Sequence, residues 1–463
     1  MARSALFPPG FVWGTATSSY QIEGGHDAGG KGPSIWDAFC TIPGKVNEHA
    51  DGTIACDHFH RWREDVDLMK KMGLTAYRFS LSWPRILPTG YGKINRSGIQ
   101  FYSDLIDALL EAEIDPWITL YHWDLPLALQ LEKDGWLNPD MASIFADYAE
   151  ICFEEFGNRV KNWITINEPW VVAMLGYGQG IFAPGRISNA EPYLAGHQLI
   201  RAHAFAVERY RKKFQYVQKG RIGITNNCDW REPLNDTAAD RAAAQRALEF
   251  FLGWFADPVY KGAYPDSMRS RVGERLPYFS DHEIDIIKGS SDFFGLNHYT
   301  TMYAAEAGNK LQDSSVYGNG GLSEDQEVNL SLDKEWKLTE MKWAIVPCGC
   351  KKLLEWIDAR YDHPEIFITE NGAAFDDKVL DGHCHDDDRV DFYEKYLQAI
   401  NAAMENRVKV KGYFAWSFMD NFEWASGYSK RFGMHYVDFN TLKRIPKSSA
   451  KWYADVIAHN GLK

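Results

Sequence analysis

Two glutamates stand in matching surroundings far apart in the chain. Glu168 closes the run Trp163-Ile-Thr-Ile-Asn-Glu-Pro169, whose proline forbids continued regular pairing. Glu370 closes Ile366-Phe-Ile-Thr-Glu-Asn-Gly372, where the glycine permits a tight turn. Each run reads as an apolar strand that presents a carboxylate at its C-terminal rim. One such glutamate is commonly a salt-bridge partner or a surface charge. Two in the same setting can converge across one mouth, and converging carboxylates are what acid–base and nucleophilic chemistry needs.

The elements that must position them recur along the whole chain. Eight short β-rich runs, at residues 12–16, 77–81, 117–120, 163–166, 221–225, 293–296, 366–369 and 413–415, alternate with amphipathic segments. Between residues 62 and 72, Trp62, Val66, Met69 and Met72 share one helical face, and Gly73 follows as a stop. Asn138 and Pro139 predict the N-cap and first turn of a helix carrying Ile144, Tyr148, Cys152 and Phe156. This alternation predicts an α/β chain, a single (β/α)8 TIM barrel spanning residues 1–463 as one domain with extended loops over its C-terminal face. Most runs end in polar or aromatic residues, as barrel enzymes require: Gln21, His122, Asn167, Asn297, Tyr299 and Trp416. Residues 306–340 lack clear periodicity and predict a functional loop over the barrel mouth.

Composition narrows the ligand. A net charge of -13 leaves no basic footprint for nucleic acid or an anionic membrane, and no stretch approaches the ~20 apolar residues of a membrane span. Seventeen Trp among 14% aromatic residues suit ligands with both CH faces and hydroxyls, as sugars have. The seven cysteines are odd in number and scattered, which predicts reduced thiols. With no signal-like run in the first ten residues, the expectation is a cytoplasmic protein. A homo-oligomer stays open. Two clusters, Asp57-His-Phe-His60 and His383-Cys-His-Asp-Asp-Asp388, contain metal-type donors but read better as solvated loops, and the Gly-rich stretch at 29–32 lacks a P-loop arrangement. No cofactor or metal is expected.

Five strings in order carry a resemblance. They are Phe11-Val-Trp-Gly-Thr-Ala-Thr-Ser-Ser-Tyr-Gln-Ile-Glu-Gly24, Trp123-Asp-Leu-Pro126, Thr165-Ile-Asn-Glu-Pro169, Ile368-Thr-Glu-Asn-Gly372 and Trp416-Ser-Phe-Met-Asp-Asn-Phe-Glu-Trp424. In them the chain resembles glycoside hydrolase family 1 over essentially its whole length.

The resemblance implies a retaining β-glycosidase, above all a β-glucosidase, that removes terminal glucosyl or galactosyl units from small β-glycosides or oligosaccharides. Glu168 would then be the acid/base and Glu370 the nucleophile, with carboxyl groups about 5 to 5.5 Å apart. Arg78 resembles the family's arginine that keeps the nucleophile ionised, Tyr299 would donate to it, and Asn297 would orient Glu370 or its neighbours. Gln21, His122, Asn167, Glu423 and Trp424 look like the residues that hold the non-reducing sugar, with Trp416 as its stacking floor. A carboxylate at Glu423 would repel a 6-phosphate, which favours an unphosphorylated hexoside. Trp343 resembles an aglycone-side platform, although the paired cysteines in Trp343-Ala-Ile-Val-Pro-Cys-Gly-Cys350 depart from the family pattern. A transglycosidase of the same fold and a catalytically silent carbohydrate-binding pseudoenzyme are the alternatives.

Overall fold

The computed structural model describes residues 5–308 and 322–463. Eight parallel strands close into a barrel: β1 (Val12–Ala16), β2 (Ala76–Ser80), β3 (Asp115–Tyr121), β4 (Asn162–Asn167), β5 (Arg221–Asn227), β6 (Phe294–Asn297), β7 (Ile366–Asn371) and β8 (Val410–Trp416). All eight predicted runs fall on these strands. Pairing of β8 with β1, Tyr413 opposite Trp13, completes the ring.

The first long helices after the successive strands are α1 (His58–Lys71), α2 (Arg96–Glu111), α3 (Met141–Phe156), α4 (Glu191–Lys213), α5 (Ala238–Leu248), α6 (Pro347–Arg360), α7 (Asp387–Glu405) and α8 (Ser448–His459). On α1 the predicted stripe of Trp62, Val66 and Met69 is buried, and Gly73 takes the left-handed conformation (φ +68°) that ends the helix. The expected cap of α3 moves. Asn138 Oδ1 accepts from the Asp140 amide at 2.8 Å, making a tight turn, so the helix begins at Met141 and not at Pro139.

Inside the barrel the lower layer is aromatic. Trp117 packs on Phe367 and Phe414 with centroids 4.7 and 5.2 Å away, so the interior is a filled core with no pore. Polar residues occupy the level above. The roof over the strand ends is a three-stranded sheet of Val328–Ser331, Thr301–Glu306 and Trp230–Pro233. Part of the expected 306–340 loop is thus ordered structure, a short helix Leu322–Gln326 followed by a strand. That strand alternates buried Val328 and Leu330 with half-buried Asn329 and Ser331, but four residues among polar neighbours give little periodicity to read. Residues 309–321 of the expected loop lie outside the described residues.

Behind β8 lies a buried ionic cluster. Lys447 Nζ donates to Asp377 Oδ2 at 2.6 Å and Asp420 Oδ1 at 2.7 Å. Arg389 holds Asp377 and Asp386, and Arg431 holds Asp420. These six residues tie the loops after β7 and β8 to the starts of α7 and α8.

Candidate active site

Both glutamates reach the barrel mouth through a break in strand regularity. On β4, Thr165 points outward to His203 of α4 at 2.7 Å, so strict alternation would send Asn167 outward as well. The register between β4 and β5 shifts between Ile164 and Asn167, and Asn167 turns inward. Glu168 then adopts φ +48°, a left-handed conformation that glutamate seldom takes, and its amide donates to Thr225 O. On β7 the register with β6 shifts between Ile368 and Glu370. Thr369 and Glu370 therefore both contribute to the interior network.

The two carboxyl groups are equally hidden, 5% and 3% exposed, but unequally served. Glu370 Oε1 accepts from Arg78 Nη1 at 2.6 Å, and Oε2 from Tyr299 Oη at 2.6 Å. Glu168 Oε1 accepts from the Asn297 amide at 2.6 Å. Arg78 also donates to Asn167 Oδ1 at 2.6 Å, to Thr369 O at 2.9 Å and to Thr119 Oγ1 at 3.2 Å, so its guanidinium has little freedom to leave Glu370. Burial followed by the negative charge of Glu370 drives the Glu168 carboxyl well above the usual carboxylate range. Burial raises Glu370 too, but Arg78 and Tyr299 oppose it. A single shared proton therefore belongs on Glu168, because the charged form of Glu370 is held by a cation and a phenol.

Asn297 bridges the pair. Its Oδ1 accepts from Thr369 Oγ1 at 2.7 Å, which fixes the amide so that Nδ2 faces Glu168 and Asn167. Expected to orient Glu370 or its neighbours, it bonds directly to Glu168 and also favours the Glu370 carboxylate.

A cleft of about 1160 Å³ opens above these groups. Of the twelve residues singled out in the sequence, Glu168, Glu370, Tyr299, His122, Trp416, Glu423, Trp424 and Trp343 line it. Arg78, Gln21, Asn167 and Asn297 are fully buried in the wall behind. Gln21 donates to Asn421 Oδ1 and Phe422 O, and at 3.4 Å to Glu423 Oε2, so it fixes the segment that carries Glu423. Asn167 Nδ2 donates to His122 Nε2 at 3.1 Å, which puts the imidazole proton on Nδ1. Burial and the charge of Arg78 keep that ring neutral. His122 lies nearly parallel to Trp416 and Trp424, at 17° and 13°. Glu423 is pushed up to about 8 by burial and the charge of Glu370. Trp343 packs against Tyr299 at 5.2 Å.

With this geometry in place, the chain can be set beside known proteins. The model of glycosyl hydrolase family 1 matches residues 3–462. The chain belongs to glycosyl hydrolase family 1. Beta-glucosidase 44 of Arabidopsis thaliana is 47% identical, covering 98% of this chain and 91% of its own. Beta-glucosidase 26 of Oryza sativa subsp. japonica is 46% identical over 98% of this chain and 90% of its own. Among solved structures, the family 1 β-glucosidase of Thermotoga maritima superimposes with a TM-score of 0.93 at 44% identity, covering 100% of both chains. The rice Os3BGlu6 β-glucosidase gives 0.92 at 43%, covering 97% of this chain and 98% of its own.

The family's fold accommodates lining residues that sequence reasoning did not single out: Trp170, Leu175, Asn227, Asp229, Arg231 and Phe251 among them. Trp170 had a signal, since it follows Glu168 and Pro169 directly. Leu175 and Phe251 lie in two π-helical turns, Val172–Gly176 and Glu249–Gly253, whose wider winding aims side chains at the cleft. Nothing in residue type marks a π turn. Among the described residues no group of three or more His, Cys, Asp or Glu could hold a metal, and no helix is long and apolar enough to cross a membrane.

Proposed function

We propose that this family 1 chain acts as a single-domain retaining β-glucosidase with Glu370 as nucleophile and Glu168 as acid/base. The observation that carries the reading is the unequal donor shell: two donors, one of them cationic, on Glu370 and an amide on Glu168. In the first step a Glu370 oxygen bonds to the anomeric carbon as the bond to the leaving oxygen breaks, and the Glu168 proton passes to that oxygen. The covalent glycosyl-enzyme has lost the charge on Glu370, so Glu168, now ionised, takes a proton from water. That water attacks the anomeric carbon, releasing the sugar with its configuration retained and returning both groups to their starting states.

His122, Trp416, Glu423 and Trp424 line the sugar end, with Gln21 and Asn167 completing it from the wall behind. Trp343 serves the leaving-group side. The only cationic side chain lining the cleft among the described residues is Arg231, so nothing at the sugar end would neutralise a phosphate; Glu423, pushed up to about 8, holds its proton near neutral pH and does not supply the repulsion expected of an ionised carboxylate. An uncharged terminal hexose fits. The Thermotoga maritima enzyme has been solved with castanospermine and with deoxynojirimycin, which makes small glycoside-like molecules reasonable ligands here. A cytoplasmic setting is supported by seven free cysteines, six of them buried.

The test is hydrolysis of p-nitrophenyl β-D-glucoside and β-D-galactoside with chelator present, beside the Glu370→Gly variant. Wild-type turnover with a dead variant that azide rescues, giving the inverted product, is the expected result, and the two rates set the sugar preference. A variant as active as wild type would overturn the nucleophile; failure of both sugars in the wild type would overturn the activity.

A further inference from the structure

The sugar end of the cleft is held from behind by a turn too short to hold itself. Gln21 sits in the four-residue helix Ser19–Ile22, and a single helical turn has no cooperative stability of its own. Every atom of the Gln21 amide is occupied: Oε1 accepts from Ser18 Oγ at 2.6 Å, and Nε2 donates to Asn421 Oδ1, to Phe422 O and, at 3.4 Å, to Glu423 Oε2. Whatever fixes the start of this turn therefore fixes the segment that carries Glu423. Two bonds do so. The Ser19 amide donates to Ser80 Oγ, at the end of β2, at 2.7 Å, and Ser19 Oγ donates to Asp124 Oδ2 at 2.8 Å.

Asp124 is a buried acid that the hydrolytic chemistry leaves unused. It is 1% exposed and follows His122 and Trp123 just beyond β3. The chain beside it is anchored on both sides, since the Ile35 amide donates to Leu125 O at 2.8 Å and the Leu127 amide to Pro33 O at 2.9 Å. Asp124 is thus the fixed partner, and the Ser19 turn is the one that is held. Burial and the negative charge of Glu23 push the Asp124 carboxyl up to about 8, against the opposing effects of the Ser19 hydroxyl and Lys31. As a neutral acid it accepts the Ser19 hydroxyl through its carbonyl oxygen, as an asparagine amide does.

We propose that Asp124 is a positioning residue for the sugar end: through Ser19 it sets the turn that carries Gln21, and through Gln21 the place of Glu423. It acts without touching substrate. The inference rests on the β-glucosidase reading above. A defect at Asp124 is then felt by every ligand of the sugar end and is blind to the leaving group.

The experiment measures kcat/KM for p-nitrophenyl and methyl β-D-glucoside, and the calorimetric Kd of deoxynojirimycin, in the wild type, Asp124→Ala, Asp124→Asn, Gln21→Ala and the double variant Asp124→Ala with Gln21→Ala. Thermal unfolding checks that each is folded. In Asp124→Ala both glucosides and deoxynojirimycin should lose about tenfold, the value of one buried hydrogen bond, and Asp124→Asn should recover most of it. In the Gln21→Ala background the same substitution should cost less than about twofold, because the path from Asp124 to Glu423 is already cut. A full tenfold loss in that background overturns the proposal, as does a loss confined to methyl glucoside, which would place Asp124 in proton delivery. Should Asp124→Ala fail to fold, Ser19→Ala removes only the hydroxyl that donates to Asp124, and wild-type values there overturn the proposal equally. A wild type that turns over neither glucoside sinks the activity, while deoxynojirimycin binding still reads the role of Asp124.

Discussion

Two buried charge clusters flank the C-terminal end of β8, and they are balanced differently. Behind the strand, Asp377, Asp386 and Asp420 face Arg389, Arg431 and Lys447, one cation for each carboxylate. In the cleft, Glu168 and Glu370 share Arg78. The consequence shows in proton affinity. Arg389 and Lys447 overcome burial and lower the Asp377 carboxyl, whereas burial and repulsion raise Glu168. A complete set of partners makes charges inert and structural; one missing cation leaves a proton to be traded. The site therefore stores destabilisation that the neighbouring cluster does not.

The comparison can be broken most directly at its centre. Glu370→Gly should lower kcat by about 10⁴-fold or more, measured on an activated aryl glucoside, with azide restoring turnover. Lys447→Met should act on stability, because it leaves Asp377 and Asp420 buried and short of a cation. A loss of about 3 to 5 kcal/mol in urea unfolding is expected, and an unchanged midpoint would mean the cluster is not structural.

Glu168→Gln sharpens the contrast. It removes the group with the raised affinity, so the unfolding midpoint should hold or rise while hydrolysis of poor leaving groups falls about 10²- to 10⁴-fold and activated aryl glucosides suffer less. Equal losses across leaving groups would count against Glu168 as the acid.

Two pH measurements read the same difference. Asp377 is depressed in the folded state, so its contribution to stability is full above the unfolded carboxylate value near 3.9 and fades as pH falls through the lower folded value. Acid unfolding should accordingly set in below about pH 4 for this cluster. On the proposed roles, activity needs Glu370 ionised and Glu168 protonated, and it should be lost with acid through the first and with alkali through the second. The smallest effect expected is in Asp229→Asn: removing a negative charge felt by Glu168 should move the alkaline limb to lower pH. A shift upward would contradict the direction of that interaction.

Much of this was legible in the residues. The β-rich runs and their polar ends fell on the barrel strands, because strand period and chain alternation are local properties. The string around Glu168 and that around Glu370 marked the pair for the same reason. The cap of α3 was misplaced by two residues because Asn138 can serve a turn as readily as a helix, and the choice is made by which amide it reaches. Asp229 and Arg231 went unnoticed because a charged pair in a loop looks like any solvated surface until the roof sheet covers it.

Sequence by itself determined the eight strands, the aromatic load that fills and lines the barrel, and the two glutamates with the residue types around them. These follow from side-chain chemistry read along one dimension. Tertiary structure decided which way the key groups face. Register shifts on β4 and β7 turn Asn167 and Glu370 inward against the two-residue period, and the left-handed backbone at Glu168 completes the turn. It also decided which carboxylate Arg78 serves, since that bond joins β2 to β7 across the barrel. Proton affinity depends on burial and on distances between strands far apart in the chain, and neither exists until the barrel has closed.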